Sequence, residues 1–99
     1  MTLKLVIHAP TAAALTRARR NLRNLLAAEP TAEVELVANA EAARVALAEP
    51  DFEADARLLV CQNSLDQAGL TAPAEVATVG AAIQHIARRQ AEGWSYFRA

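Results

Sequence analysis

The chain has 99 residues, a net charge of -1 at pH 7 from ten basic and eleven acidic side chains, and one cysteine. Its length is typical of one domain, and its balanced charge argues against a nucleic-acid-binding protein, which would carry a clustered basic excess. The single cysteine excludes an internal disulfide framework and a cysteine-rich zinc site. We therefore expect no cofactor, no metal site and no direct nucleic-acid partner.

Apolar periodicity and helix stop signals predict strands that alternate with helices along the chain. The predicted elements are a strand over Leu3–His8, a helix capped by Thr11 and running to about Ala28, a strand over Glu33–Ala38, a helix over Ala40–Ala48 capped by Asn39, an acidic loop over Asp51–Asp55, a strand over Arg57–Cys61, a short helix stopped by Gly69, a strand over Glu75–Val79, a helix from Ala81 to about Glu92 and a terminal strand over Trp94–Arg98. This alternation predicts one domain over residues 1–99, a three-layer α/β/α sandwich with a mostly parallel sheet of about five strands.

Polar or small residues follow the predicted strands where each strand ends. His8 and Cys61 end two of them, with Gln62 and Asn63 directly after Cys61, and Asn39 and Gly80 come directly after two others. In parallel sheets, ligands bind beyond the carboxyl ends of the strands. The sequence therefore predicts a site on this rim of the sheet.

Cys61 is the candidate reactive residue on that rim. It ends an apolar strand and precedes a helix start in which Ser64 and Gln67 have capping-box spacing. Backbone N–H groups and the dipole of a helix amino terminus favour a thiolate. We therefore predict that Cys61 is at least partly exposed and titrates below an ordinary thiol. The alternative is a small buried apolar residue that ends a core strand, because free cysteine is among the most buried residue types.

Four other residues are candidates for a supporting role. His8 could polarise or deprotonate Cys61 if their strands are neighbours; the alternative is a strand-end histidine bonded to a loop carbonyl. Asn39, Asn63 and Ser64 are interpreted first as helix caps, and a cap on this rim can also contact a ligand.

The last helix and the tail carry two further predictions. Ile83, Ile86, Ala87 and Gln90 fall on one helical stripe, which predicts that the Gln90 amide lies on the core side in a structural role. The tail holds Trp94, Tyr96 and Phe97, and strand alternation sends Tyr96 and Phe97 to opposite faces. An edge strand with large apolar groups needs covering. We expect a homo-oligomer that covers it, the alternative being packing under the first helix.

Two segments resemble the DsrE-like family of small sulfur-metabolism proteins. The segment Leu58–Leu65, with Gly69 downstream, is similar to that family's strand–Cys–x–Asn–Ser/Thr–Leu segment. The segment Arg88–Tyr96 resembles the family's ending, in which Arg-Gln-x-x-Gly precedes an aromatic-rich last strand. The first helix and the second strand also match in placement, so that the resemblance covers nearly the whole chain.

The resemblance implies an α/β/α sandwich that assembles into dimers, trimers or hexamers, and a persulfide on Cys61 that carries sulfane sulfur. The implied partner is a sulfur donor or acceptor protein. Because there is no second cysteine, the sulfur must pass to another protein or to a small acceptor. Many relatives have a glycine-rich turn after Asn39, where this chain has Ala40–Ala43, and we expect a stiffer rim here.

Two expectations remain open beside that reading. The alternative function is a non-catalytic, homo-oligomeric module of the same fold that binds a small ligand or a protein, with Cys61 structural. No charged segment precedes an apolar one at the start of the chain, and no apolar stretch approaches the roughly 20 residues of a membrane span. We therefore expect a cytoplasmic protein with no membrane partner.

Overall fold

A computed structural model describes all residues, 1–99. The helices and strands, in chain order, are β1 (Lys4–Ala9), α1 (Ala12–Ala28), β2 (Glu33–Ala38), α2 (Glu41–Ala48), a 3-10 turn (Ala54–Arg57), β3 (Leu58–Cys61), α3 (Gln62–Ala68), β4 (Thr78–Val79), α4 (Ala82–Ala91) and β5 (Ser95–Arg98). The strands form one sheet in the order β4-β3-β2-β1-β5, and every neighbouring pair is parallel. The predicted three-layer fold is confirmed.

The connections place the helices unequally on the two faces of the sheet. The chain steps in one direction from β1 to β4, so right-handed crossovers put α1, α2 and α3 on the same face, here called the first face. It then returns from β4 to β5 at the far edge, which puts α4 alone on the second face. The apolar cluster of the first face contains 17 buried residues, and that of the second contains five.

Helix α1 is the best-defined element of the first face. The Thr11 side chain caps it by accepting a hydrogen bond from the N–H of Ala14 at 3.0 Å. Its buried side chains repeat at helical spacing, and they are Ala14, Leu15, Ala18 and Leu22. The helix therefore forms where the apolar stripe and the cap predict it.

Three predicted boundaries are wrong, two of them on the rim. Helix α3 begins at Gln62 with Cys61 at its N-cap, so neither Asn63 nor Ser64 is a cap. Helix α2 has Ala40 at its N-cap, and the Asn39 side chain bonds to His8 instead of capping the helix. The fourth strand was predicted over five residues and has only two, since the rest of that segment makes no ladder.

The predicted apolar stripe of α4 is confirmed at Ile86 but is wrong at Ile83, Ala87 and Gln90. Gln90 is exposed and Ile83 is 81% exposed. The buried residues of the helix are Ala82 and Ile86. The helix is rotated relative to the predicted stripe because His85 and Arg89 turn toward a carboxylate on the sheet.

None of the helices combines the length and the apolar character that crossing a membrane requires.

Candidate functional site

The thiol of Cys61 lies at the point where the sheet changes the direction of its connections. Strands β3 and β4 are neighbours, but α3 follows β3 on the first face and α4 follows β4 on the second. Adjacent strands whose connections leave to opposite faces form the crevice where α/β proteins bind ligands. Across this crevice the N–H of Asn63 donates to the carbonyl of Gly80 at 3.1 Å. The topology therefore singles out Cys61 independently of its residue type.

The surroundings of the sulfur stabilise its anion. The N–H of Ala82, the first residue of α4, donates to Cys61 Sγ at 3.4 Å. Burial raises the pKa of the thiol, but hydrogen bonds from the Ser64 hydroxyl and from the backbone of Ser64, Ala82 and Asn63 outweigh it. The pKa of Cys61 therefore lies below that of an ordinary thiol, as predicted.

The predicted exposure of Cys61 is wrong. The residue is only 4% exposed. It packs in the cluster of the second face, under Ala82 and Ile86 of α4. The helix that supplies a donor to the sulfur is thus also its cover, which the strand-end position alone could not reveal.

Ser64 connects the thiol to the turn before α2. Its Oγ accepts a hydrogen bond from the N–H of Ala40 at 2.8 Å, so the hydroxyl proton remains free for the sulfur. Ala40 has φ 50° and ψ -132°, a region that favours glycine and strains a residue with a Cβ. The strained turn thereby places the Ala40 N–H, which donates to Ser64, at the edge of the crevice.

His8 has side-chain partners on both sides. Its Nε2 lies 2.8 Å from Asn39 Oδ1, which can only accept, so Nε2 carries the proton. Its Nδ1 then accepts from the Tyr96 hydroxyl at 2.7 Å. Both partners of His8 are side chains, and neither is the loop carbonyl that the alternative prediction expected. Strand β2 separates β1 from β3, so the condition for direct action of His8 on Cys61 is not met.

A recess of about 270 Å³ opens beside this network on the second face. Its lining residues are His8, Asn39, Ala82, Ile83, Ile86, Gln90 and Tyr96. Ala82 also contacts the thiol, so the recess adjoins the crevice. A larger recess of about 560 Å³ lies at the opposite, amino ends of the strands, away from the cysteine. Ser64 therefore lies close enough to Cys61 to affect its pKa, whereas His8 and Asn39 lie in the neighbouring recess.

Sequence reasoning missed two contributors to this region. Tyr96 follows from strand alternation, which puts it on the face of Val6 and His8, but its hydroxyl contact needs the β1–β5 pairing. The Ala82 N–H carries no sequence signal. Asn63 contributes through its backbone, and its side chain is exposed. No group of three or more His, Cys, Asp or Glu side chains is arranged to hold a metal ion.

Comparison with models of protein families gave no match. Comparison with curated protein sequences gave no match either. Among solved structures, the chain is similar to a protein of unknown function, MTH1491 from Methanobacterium thermoautotrophicum, with a TM-score of 0.84 and 26% sequence identity. The alignment covers 98% of this chain and 99% of that one, so the two share their fold over nearly their whole lengths.

Proposed function

We propose that this protein carries sulfane sulfur as a persulfide on Cys61. The observation that supports the proposal is a buried sulfur at the topological switch point, which accepts a hydrogen bond from the Ala82 N–H and whose pKa is lowered by its surroundings. A structural cysteine needs no stabilised anion, whereas a nucleophilic one does. The same donors stabilise the terminal anion of a persulfide less directly, because its charge lies one sulfur further out.

Each step transfers one sulfur atom from a persulfide to a thiolate without net oxidation. The Cys61 thiolate attacks the outer sulfur of a donor persulfide, the donor's S–S bond breaks, and the donor leaves as a thiolate. Delivery repeats the step with an acceptor thiolate attacking the outer sulfur on Cys61. Because the chain has one cysteine, the acceptor thiol belongs to another protein or to a small molecule. A reducing, cytoplasmic compartment suits a free thiol of this kind.

Transfer requires local opening of the cover. The cover consists of Ala82 and Ile86, which are the two buried residues of their helix. Segments with few buried contacts open at lower free energy than the rest of a domain. A cover that closes again shields the persulfide from water and oxidants between the two steps.

The direct test is sulfur loading followed by intact-mass measurement. Incubation with a low-molecular-weight persulfide is expected to add one sulfur atom, which a thiol reductant removes. Cys61→Ser should abolish the adduct, and Ser64→Ala should slow its formation near neutral pH. Ser95→Ala is the matched control, since Ser95 lies exposed on the outer strand. An adduct that persists in Cys61→Ser, or none in the parent chain, contradicts the proposal.

A binding module is the second candidate, and the recess beside His8 favours it. The recess combines an apolar wall with the His8, Asn39 and Tyr96 network, as small-ligand sites do. In this case Cys61 is structural. Thermal shift with small anions and amides would reveal a ligand whose binding His8→Ala removes and Cys61→Ser retains. Sulfur loading that fails alongside such binding would favour this function over the first.

The proposed carrier is a homo-oligomer that uses β5. Tyr96 and Phe97 are 40% and 44% exposed on opposite faces of this edge strand. Phe97→Ser is expected to lower the mass measured by light scattering at micromolar concentration. Phe52→Ser is the matched control, because Phe52 is 90% exposed on a different edge of the molecule. A monomeric parent chain would show that this account of β5 is wrong.

A further inference from the structure

Helix α4 is held to the sheet by polar contacts as much as by apolar ones. Only Ala82 and Ile86 are buried along its length. A polar attachment is added by Glu35 of β2, whose side chain is 17% exposed and lies beneath the helix. A helix with so small an apolar contact depends on whatever else fixes its position.

Glu35 receives hydrogen bonds from two residues one helical turn apart. His85 Nε2 lies 2.7 Å from Oε1. Arg89 donates from Nε to Oε1 at 2.9 Å and from Nη2 to Oε2 at 2.7 Å. Two anchor points on one helix fix both its rotation and its axial position, and a bidentate guanidinium fixes them more firmly than a single bond does. We call these three residues the clasp.

The charges around the clasp keep it formed at neutral pH. Burial raises the pKa of Glu35, but the bonds from Arg89 and His85 outweigh it and leave the pKa below its usual value. Arg89 also donates to Glu92 at 2.8 Å and lies 4.7 Å from the ring centroid of Trp94. The other charged side chains that line the recess at this end are Lys4, Glu33 and Arg57.

We propose that Glu35 is a positioning residue for the thiolate of Cys61. His85 lies three residues from Ala82 on the same helix, and the Ala82 N–H donates to Cys61 Sγ at 3.4 Å. By fixing α4, the clasp keeps this N–H on the sulfur and keeps Ile86 over it. This role rests on the proposed function, in which the Cys61 thiolate is the reacting group. Its test measures thiol ionisation rather than sulfur loading, so the two can fail separately.

Glu35→Gln is the first test, because glutamine keeps the size of the side chain and removes its charge. The midpoint of Cys61 alkylation against pH is expected to rise by about half to one pH unit, the effect of weakening one hydrogen bond to the anion. The limiting rate above the midpoint is expected to rise as well, because the cover opens. Glu33→Gln is the matched control on the same strand, since Glu33 pairs with Lys4 at 3.9 Å and not with α4.

Arg89→Lys keeps a positive charge but loses the bidentate geometry, so a smaller rise is expected, and this variant serves if Glu35→Gln does not fold. Combined with Glu35→Gln it should raise the midpoint no further than the larger single change, because both act through one contact. Leu22→Val lowers stability from the first face and should leave the midpoint unchanged. The proposal is overturned if Glu35→Gln leaves the alkylation midpoint where Glu33→Gln leaves it. It is also overturned if Leu22→Val, when it lowers stability as much as Glu35→Gln does, shifts the midpoint by the same amount.

Discussion

The two faces of the sheet are attached to their helices by different kinds of contact. On the first face, α1 alone buries four side chains in a cluster of 17 residues. On the second face, α4 buries two side chains in a cluster of five, one of which is Cys61. Apolar burial of the first kind is what stabilises small domains. The difference indicates that the first face supplies most of the stability, while the second can open at the thiol.

The ion pairs on the two faces of the sheet also differ in what they attach. On the first face, Arg19 pairs with Asp55 at 3.0 Å, and Arg23 pairs with Asp51 and Glu53, so that these pairs fasten one loop to α1. On the second face, the clasp fastens an entire helix. A change in pH or salt concentration weakens ionic contacts more readily than contacts between buried apolar side chains. The position of α4 should therefore depend on solution conditions more than that of α1 does.

The largest expected effect tests the division directly. Leu22→Ala should lower the free energy of unfolding by about 2–5 kcal/mol, because Leu22 is fully packed on the first face. The pH midpoint of Cys61 alkylation should stay where it is. Ile86→Ala should cost less stability, since Ile86 is 9% exposed in a small cluster, but should make Cys61 react faster.

Denaturant unfolding and thiol alkylation of both variants measure these two quantities. A Leu22→Ala protein whose cysteine reacts as fast as that of Ile86→Ala under native conditions would break the comparison, because the faces would then open together.

Acid should loosen the second face through the clasp. The folded pKa of Glu35 is depressed, so its contribution to stability is complete above the usual carboxyl pKa of about 4.3 and is lost as the pH falls through the lower folded value. Trp94, the only tryptophan, contacts Arg89 and reports the change by fluorescence. Glu35→Gln should remove this transition, and Glu33→Gln should keep it. A transition unaffected by Glu35→Gln would assign the acid response elsewhere.

Helix α1 and strand β2 could be predicted from sequence better than helix α4. The bounds of β2 were predicted as found, and α1 lies within a residue of its prediction, because local periodicity defines both elements and a side-chain cap also defines the start of α1. The orientation of α4 could not be predicted, since it depends on a bond between Glu35 and Arg89, which are 54 residues apart. A carboxylate in an apolar strand and an arginine in a helix give no local signal of their pairing.

The candidate site divides in the same manner. Cys61 and its lowered pKa follow from a strand end next to a helix start. Its burial does not follow, because it depends on where α4 lies. His8 was predicted on the correct rim, but its separation from Cys61 by a whole strand depends on strand order. Whether Cys61 carries sulfur stays a prediction.

A smaller effect is expected from Ser64, in the helix that follows Cys61, because its hydroxyl lowers the pKa of the thiol. Ser64→Ala removes the hydroxyl and should raise the pKa of Cys61 by about half to one pH unit. Because the folded pKa of this thiol is lowered, the parent chain gains stability as the pH rises from the folded to the unfolded pKa. Ser64→Ala should reduce that gain. Alkylation against pH measures the shift, with Ser95→Ala as the control. An unchanged midpoint would mean that α4 alone tunes the thiol.

The smallest expected effect concerns Ala40, in the turn that connects β2 to α2 at the rim. Its φ of 50° strains a residue with a Cβ, so Ala40→Gly should raise the free energy of unfolding by about 0.5–1 kcal/mol after the added flexibility of the unfolded chain is subtracted. Ala13→Gly, on an exposed position of α1, should lower it by about 0.5–1 kcal/mol. Thermal and denaturant unfolding measure both. If Ala40→Gly also slows alkylation of Cys61, the strained turn holds Ser64 in place for the thiol; if it destabilises the protein, the strain assigned to Ala40 is wrong.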